Sequence, residues 1–169
     1  MIILNIKGRV IKEIEGDTLR GAYLWKTDLE RADLRGANLE RAHLWKADLM
    51  NADLERADLM NADLERANLE RAHLERANLM NADLERANLM NAHLERANLR
   101  GAHLERAHLE RANLMNTDLW GANLVDAHLE RANLERAHLE RADLKGADLR
   151  GTIYCPSKVL YYWTAGLIK

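Results

Sequence analysis

Leucine occupies every fifth position from Leu19 to Leu149, which makes 27 consecutive pentapeptides without an interruption. The residue two positions before the leucine is alanine in 24 of these units. A period of five matches neither the 3.6-residue period of a helix nor the two-residue period of a strand, so neither element can be continuous here. Repetition at a fixed period predicts an architecture in which each unit buries its apolar face against its neighbours.

A single unit, Ala52-Asp53-Leu54-Glu55-Arg56, indicates the local structure. Ala52 and Leu54 are two residues apart, as are side chains on one side of an extended segment, and Asp53 faces the opposite side. The polar pair that follows predicts a corner exposed to solvent. The pattern therefore predicts a strand of about three residues followed by a two-residue corner, repeated into a solenoid whose strands lie about 4.8 Å apart.

The run Ala-(Asp/Asn)-Leu-X-X, as in Ala57-Asp58-Leu59-Met60-Asn61, resembles the repeat of the pentapeptide-repeat proteins. The resemblance covers 135 of the 169 residues. It implies an all-β fold, a right-handed quadrilateral β-helix with four pentapeptides per coil, leucine inside and alanine in the narrower corners. On that basis residues 17–151 would form nearly seven coils, roughly 30 Å tall.

The array is more uniform than this resemblance implies. All 27 central residues are leucine, phenylalanine is absent from the chain, and leucine is followed by Glu-Arg in 13 units and by Met-Asn in five. Natural members of the family mix leucine with phenylalanine and vary widely elsewhere. We therefore interpret the chain as a synthetic, consensus-engineered member. A natural relative is a candidate source of its two caps. The alternative is a recently duplicated natural array.

The residues after each leucine also bear on turn type. A type II turn has a positive φ at its second central residue, which favours glycine or asparagine. Units that end in Asn61 or Gly36 fit this turn. Units that end in arginine, such as Arg56, are expected to adopt turns with a negative φ.

The two ends are expected to cover the core that a solenoid exposes there. In residues 1–16, the alternation of Ile2, Leu4 and Ile6 predicts a strand or hairpin that caps the first coil.

In residues 152–169 the repeat decays, and Ser157 as an N-cap predicts a short helix with one apolar side. This helix is expected to cover the last coil. A second role, compatible with the first, is a homodimer contact through Tyr161, Tyr162 or Trp163; the chain is otherwise expected to be a monomer.

Charge and composition exclude several classes of partner. The formal net charge is −2, and opposite charges are interleaved, whereas a nucleic-acid binder shows a strongly basic face. No apolar run approaches the roughly 20 residues of a membrane span, and the first residues lack the features of a signal peptide. Cys155 is the only cysteine, so an intrachain disulfide is impossible. We expect a soluble chain, cytoplasmic if expressed in a cell, with no nucleic-acid or membrane partner.

The seven histidines all precede a leucine, on the predicted outer face. With four pentapeptides per coil, His73 lies beneath His93 and His108 beneath His128. Stacked imidazoles could share a divalent metal, but zinc takes three or four protein ligands, and two histidines fall short of that number. We therefore expect solvated polar residues and no metal or cofactor.

The remaining chemistry is also sparse. Aspartates such as Asp33 and Asp53 should stack on a convex face, whereas enzyme sites need a concavity. The sequence contains no nucleophile motif, phosphate loop or HExxH, and Ser157 is the only serine. We expect neither catalysis nor a small-molecule substrate.

Trp25 and Trp45 should share one outer face with Lys26 and Lys46, since the members of each pair are four pentapeptides apart. Exposed tryptophans can anchor a partner. The alternative is that they pack under the N-terminal cap or stack without any partner. Trp120 is expected to be isolated.

Two functions are consistent with these features. The first is a structural scaffold with no catalytic activity and no evident ligand. The second follows from the resemblance: some pentapeptide-repeat relatives mimic DNA in width and charge and bind DNA gyrase. A mimic needs a strongly negative surface, yet residues 17–151 carry 20 Lys and Arg against 25 Asp and Glu. The sequence favours the scaffold, with gyrase as a partner only under the alternative.

Overall fold

A computed structural model describes residues 2–4, 7–8, 10–13 and 18–154 of the chain. The predicted C-terminal helix with its N-cap Ser157 lies outside the described residues. The proposed contact residues Tyr161, Tyr162 and Trp163 lie outside them as well, so these predictions stay predictions.

The array coils with a period of four pentapeptides. Parallel bridges join each residue before a leucine to its equivalent in the fourth pentapeptide that follows, from Tyr23↔His43 to Asn133↔Ile153. Four pentapeptides therefore complete one coil, and the residues before the leucines stack in four columns. Each paired segment is a single bridge residue, whereas strands of about three residues were expected. The segments are this short because the corner takes up most of each pentapeptide.

The backbone N–H groups of a typical unit are all used. Three donate to carbonyls of neighbouring coils, one closes the corner, and one donates to the side chain of the residue before leucine. In one unit the bonds run from Asp53 N to Ala32 O (2.9 Å), Leu54 N to His73 O (2.7 Å), Arg56 N to Glu75 O (3.0 Å), Ala57 N to Leu54 O (2.9 Å) and Glu55 N to Asp53 Oδ1 (3.1 Å).

Leucine and alanine fill the interior, as the repeat pattern predicts. Leucines from Leu19 to Leu149 are buried, with exposures of 1% and 6% at these two ends. Thr117 replaces a core alanine and is the only buried polar side chain among the described residues. Its hydroxyl donates to the carbonyl of Leu94 at 2.8 Å, which removes the cost of burying it.

The second corner residue has a positive φ for every residue type, as in a type II turn, so the prediction of a negative φ at arginine is wrong. The φ angle is 59° at Arg56, 55° at Asn61 and 62° at Gly36. Coils stack only if every corner turns alike, because the N–H of the second corner residue must reach a carbonyl of the next coil. The array therefore imposes the left-handed conformation on arginine, at a cost of about 1–2 kcal/mol per residue.

An antiparallel hairpin lies at the start of the chain, formed by β1 (Ile2–Leu4) and β2 (Val10–Glu13). Ile3 is buried and joins the hydrophobic core. The carbonyl of Leu4 accepts the N–H of Asp33 at 2.8 Å, a role that alanine carbonyls have in later coils. Strand β1 thus takes the place of a preceding coil on this face. That residues 1–16 as a whole form a cap stays a prediction.

Leu84→Ala should lower the free energy of unfolding by about 2–5 kcal/mol, because Leu84 is fully buried in a close-packed column. His93→Asn, on the outer face, should change it by less than about 0.5 kcal/mol. Chemical denaturation of both variants measures the difference. Equal effects would mean that the inside and outside of the solenoid are reversed.

Arg106→Gly should raise the free energy of unfolding by up to about 1 kcal/mol. The φ of Arg106 is 56°, and glycine removes this strain at a smaller entropic cost. Glu135→Gly is the control, since Glu135 is the first central residue of its turn and is not among the residues with positive φ; it should destabilise by about 0.5–1 kcal/mol. Denaturation midpoints that fall for both variants would contradict this account of the corners.

Candidate functional site

The histidine columns form as the sequence predicts. His73 bridges His93, and their ring centroids lie 4.9 Å apart at an interplanar angle of 19°. His108 and His128 stack at the same separation and 8°. In a third column Tyr23 stacks on His43 at 4.6 Å. Pairs of imidazoles thus stack face to face on two outer faces of the solenoid.

A glutamate lies against the first histidine pair. Glu75 Oε1 is 3.4 Å from Nδ1 of His73 and 3.9 Å from Nδ1 of His93. Together these residues form the His73 cluster, whose three candidate ligand atoms all lie within 4.8 Å of one another. Glu75 precedes no leucine, so the pattern of histidines before leucines did not predict it. The sequence did contain a signal for it: Glu75 follows His73 by two positions, and His73 is expected to stack on His93.

A second group, the His128 cluster, consists of Glu110, His128 and Glu130. Glu110 Oε1 also lies 3.3 Å from Nδ1 of His108. However, Glu130 Oε1 lies 3.3 Å from the guanidinium of Arg150, so this cluster already has a fixed positive charge beside it.

The contacts of a corner glutamate differ with the residue that precedes its leucine. Glutamates that follow Asp or Asn by two positions pair with the next arginine at 3.2–3.9 Å; these are Glu30, Glu40, Glu55, Glu65, Glu70, Glu85 and Glu135. Five glutamates that follow a histidine instead keep a buried Oε2 without a hydrogen-bond partner; these are Glu75, Glu95, Glu105, Glu110 and Glu130.

The Asp and Asn columns have a structural role that was not predicted from the sequence. Their side-chain oxygens accept the N–H two residues later, as Asp48 does from Met50 at 3.0 Å. Asparagines also bond along the column: Asn68 Nδ2 donates to Asp48 Oδ1 at 3.0 Å, and Asn88 Nδ2 to Asn68 Oδ1 at 3.1 Å. These bonds replace carboxylate–carboxylate repulsion by hydrogen bonds between coils.

The predicted tryptophan–lysine face (Trp25, Lys26, Trp45 and Lys46) is present. The ammonium of Lys26 lies 5.6 Å from the ring centroid of Trp25 and 5.2 Å from that of Trp45, while Lys46 lies 4.3 Å from Trp45. Trp25 stays 56% exposed. Cation–π contacts of this kind hold exposed rings in place.

Trp120 is not isolated, contrary to the expectation. The guanidinium carbons of Arg100 and Arg141 lie 4.6 and 5.2 Å from its ring centroid. Arg141 belongs to the coil that follows Trp120. The expectation rested on the spacing between tryptophans, which cannot identify arginine as a partner.

The outer surface is not uniformly convex. One shallow groove of about 460 Å³ runs past Glu75 and Glu95, and another of about 480 Å³ runs past Glu110 and Glu130. Both grooves are lined mainly by glutamate and arginine. Each therefore lies beside one of the two histidine–glutamate clusters.

Two aspartates hold an arginine two residues later. Arg35 donates from Nε to Asp33 Oδ1 at 2.8 Å and from its terminal nitrogen to Oδ2 at 2.6 Å. This hydrogen bonding lowers the pKa of the Asp33 carboxyl from its usual value. Asp148 and Arg150 repeat the arrangement, with the pKa of Asp148 lowered by the same kind of hydrogen bond.

The family model of pentapeptide repeats matches four segments that together span residues 19–153 of the chain, namely residues 19–56, 57–96, 92–131 and 122–153. The chain belongs to the pentapeptide-repeat family. Members of this family are generally non-catalytic structural or binding proteins, and their fold is a right-handed β-helix. No curated protein is significantly similar to the chain in sequence.

Solved structures of pentapeptide-repeat proteins resemble this one. HetL, involved in heterocyst differentiation regulation in the cyanobacterium Nostoc sp. strain PCC 7120, has 40% identity and a TM-score of 0.78 over 79% of this chain. The chain spans 62% of the length of HetL. A protein of the Arabidopsis thaliana thylakoid lumen has 26% identity and a TM-score of 0.61, covering 63% of this chain and 74% of its own.

QnrB1, a plasmid-mediated fluoroquinolone resistance protein, has 23% identity and a TM-score of 0.51, covering 78% of this chain and 72% of its own. This likeness extends to the fold alone. Across the described part of this pentapeptide-repeat protein, no helix has the length and apolar character needed to cross a membrane.

Asp33→Asn should reduce the loss of stability on acidification. A carboxyl whose pKa is lower in the folded state stabilises the fold at pH values above its unfolded pKa, about 3.9, and this contribution is lost as the pH falls through the folded pKa. Thermal melts between pH 7 and pH 2 should therefore decline less steeply for the variant than for the parent protein. Arg35→Gln, which removes the hydrogen bond, should give the same flattening, and parallel curves would contradict the assignment.

Proposed function

We propose that this pentapeptide-repeat protein is a structural scaffold without catalytic activity, and that its uniform repeat has a consensus-engineered origin. The observation that carries the proposal is the pairing of charges at the corners. Arg56 lies 3.3 Å from Glu55, and Arg66 lies 3.2 Å from Glu65. Each glutamate paired in this way is neutralised by its own neighbour, so the outer surface lacks a field of one sign that would attract a charged partner.

The interior supports the same function. One residue type at every central position gives coils that are interchangeable, and each coil contacts only its neighbours. A site for a specific substrate would require some coils to differ in shape. The uniform core favours a protein whose stability comes from repetition.

The competing function is that of a DNA mimic that inhibits DNA gyrase. A mimic needs a dense negative surface, and the array carries a small excess of acid, 25 Asp and Glu against 20 Lys and Arg in residues 17–151. Seven of these 25 carboxylates pair with the next arginine at a corner, and the others are interleaved with lysine and arginine along the array, which differs from an unbroken row of phosphates. The likeness to QnrB1 concerns the fold and adds no support for this function.

A coil deletion tests the scaffold. Removing residues 57–76 takes out four pentapeptides, one complete coil, so the flanking coils should stack in register and keep a cooperative unfolding transition at reduced stability. Removing residues 57–74 is the matched control, because it breaks the pentapeptide period and should disrupt the core. Circular dichroism with thermal melts measures both. An inability of the one-coil deletion to fold would contradict interchangeable coils.

A gyrase supercoiling assay tests the competing function in parallel. The full chain and the one-coil deletion should both leave supercoiling unchanged at micromolar concentrations. Clear inhibition by the full chain below micromolar concentration would replace the scaffold by the mimic as the function of this protein.

A further inference from the structure

We propose that the His73 cluster binds one borderline divalent metal ion of the Zn²⁺ class, with His73, Glu75 and His93 as ligands. The proposal goes beyond the scaffold function and does not depend on it. It rests on the distances within the cluster, on the buried unpartnered oxygen of Glu75, and on the charges around the two histidines.

The distances suit a metal. Bonds of about 2.0–2.1 Å to zinc place tetrahedral ligand atoms about 3.3 Å from one another. The observed separations from Glu75 Oε1 are 3.4 Å to His73 Nδ1 and 3.9 Å to His93 Nδ1. All three ligand atoms lie within 4.8 Å of one another, and the two stacked imidazoles would have to turn toward each other to direct Nδ1 at a shared ion. The fourth position would be left to water.

Among the described residues, the carboxylate of Glu75 has only the two histidines beside Oε1, and its second oxygen has no partner. Its Oε2 is buried without a hydrogen bond, and its only ion-pair partners among the described residues are the two histidines. A partly buried carboxylate is costly when its charge is not compensated, and a cation bound to Oε1 would compensate that charge. Glutamates that follow aspartate or asparagine are not available in this way, because they pair with the next arginine.

The surroundings favour a cation here over the His128 cluster. Glu95 Oε1 is 4.0 Å from Nδ1 of His93, and each cluster has an aspartate next to it in its column, Asp53 beside His73 and Asp148 beside His128. In the His128 cluster, by contrast, the guanidinium of Arg150 lies against Glu130 and would have to be displaced. The open groove that Glu75 and Glu95 line, together with Arg56, Arg76 and Arg96, lies beside the cluster.

The donor set selects the kind of metal. Two imidazoles and one carboxylate suit zinc, copper and nickel, whereas calcium and magnesium prefer oxygen ligands alone. We therefore use Zn²⁺ as the probe, with Ca²⁺ as the ion expected not to bind.

The test is a calorimetric titration of untagged, full-length protein with Zn²⁺. The protein should bind one tight equivalent, and His73→Asn and His93→Asn should each weaken the affinity more than about tenfold, since loss of a ligand exceeds the usual effect of losing a ligand's hydrogen-bond partner. His103→Asn is the matched control: the same substitution in a histidine outside both clusters should leave the affinity unchanged. His128→Asn should also retain the tight equivalent.

Two further readouts separate metal binding from folding. Circular dichroism should be the same for all metal-free variants, because the substituted side chains lie on the outer face. Co²⁺ should give visible ligand-field absorption with the parent protein that Glu75→Gln weakens. The proposal is overturned if Zn²⁺ does not bind, if His73→Asn and His93→Asn bind it like the parent, or if His103→Asn weakens binding equally.

Discussion

The hydrogen bonds between successive coils are the constraint on which the structure depends. Each coil has to present its carbonyls to the N–H groups of the next, at every corner and every bridge, because a backbone group left unpaired in the stack would be costly. This requirement fixes the coil of four pentapeptides and the positive φ at every corner. The leucine and alanine core then fills the space that the backbone encloses. Side chains adapt to the backbone throughout, as the left-handed conformation of Arg56 illustrates.

The fold could be predicted from the sequence because its signal is repeated 27 times. Leucine spacing gave the inside of the solenoid, and the resemblance to a known family gave four units per coil, so the stacking of His73 on His93 followed from counting alone. Turn type could not be predicted in the same way. Local preference favours a negative φ at arginine, but hydrogen bonds between coils override a preference of about one or two kcal/mol.

The candidate site was predicted only in part, for a related reason. The columns follow from the period, whereas the direction of a flexible glutamate depends on its neighbours. Asp53 accepts the N–H of Glu55 at 3.1 Å, and Glu55 then pairs with Arg56. Where His73 stands in the place of an aspartate, Glu75 lies against the imidazoles and not against the next arginine. A residue outside the core thus selects between two surface arrangements, which composition cannot reveal.

One pentapeptide is a quarter of a coil, so the number of pentapeptides between two residues decides which faces of the solenoid they occupy. An insertion of one pentapeptide would leave every leucine inside, yet would turn all later residues by a quarter of a coil. Placed between His73 and His93, such an insertion would carry the second histidine to an adjoining face, whereas four inserted pentapeptides would restore the angle one coil higher. The number of pentapeptides between two surface residues therefore decides whether they meet, while the leucine and alanine core stays the same.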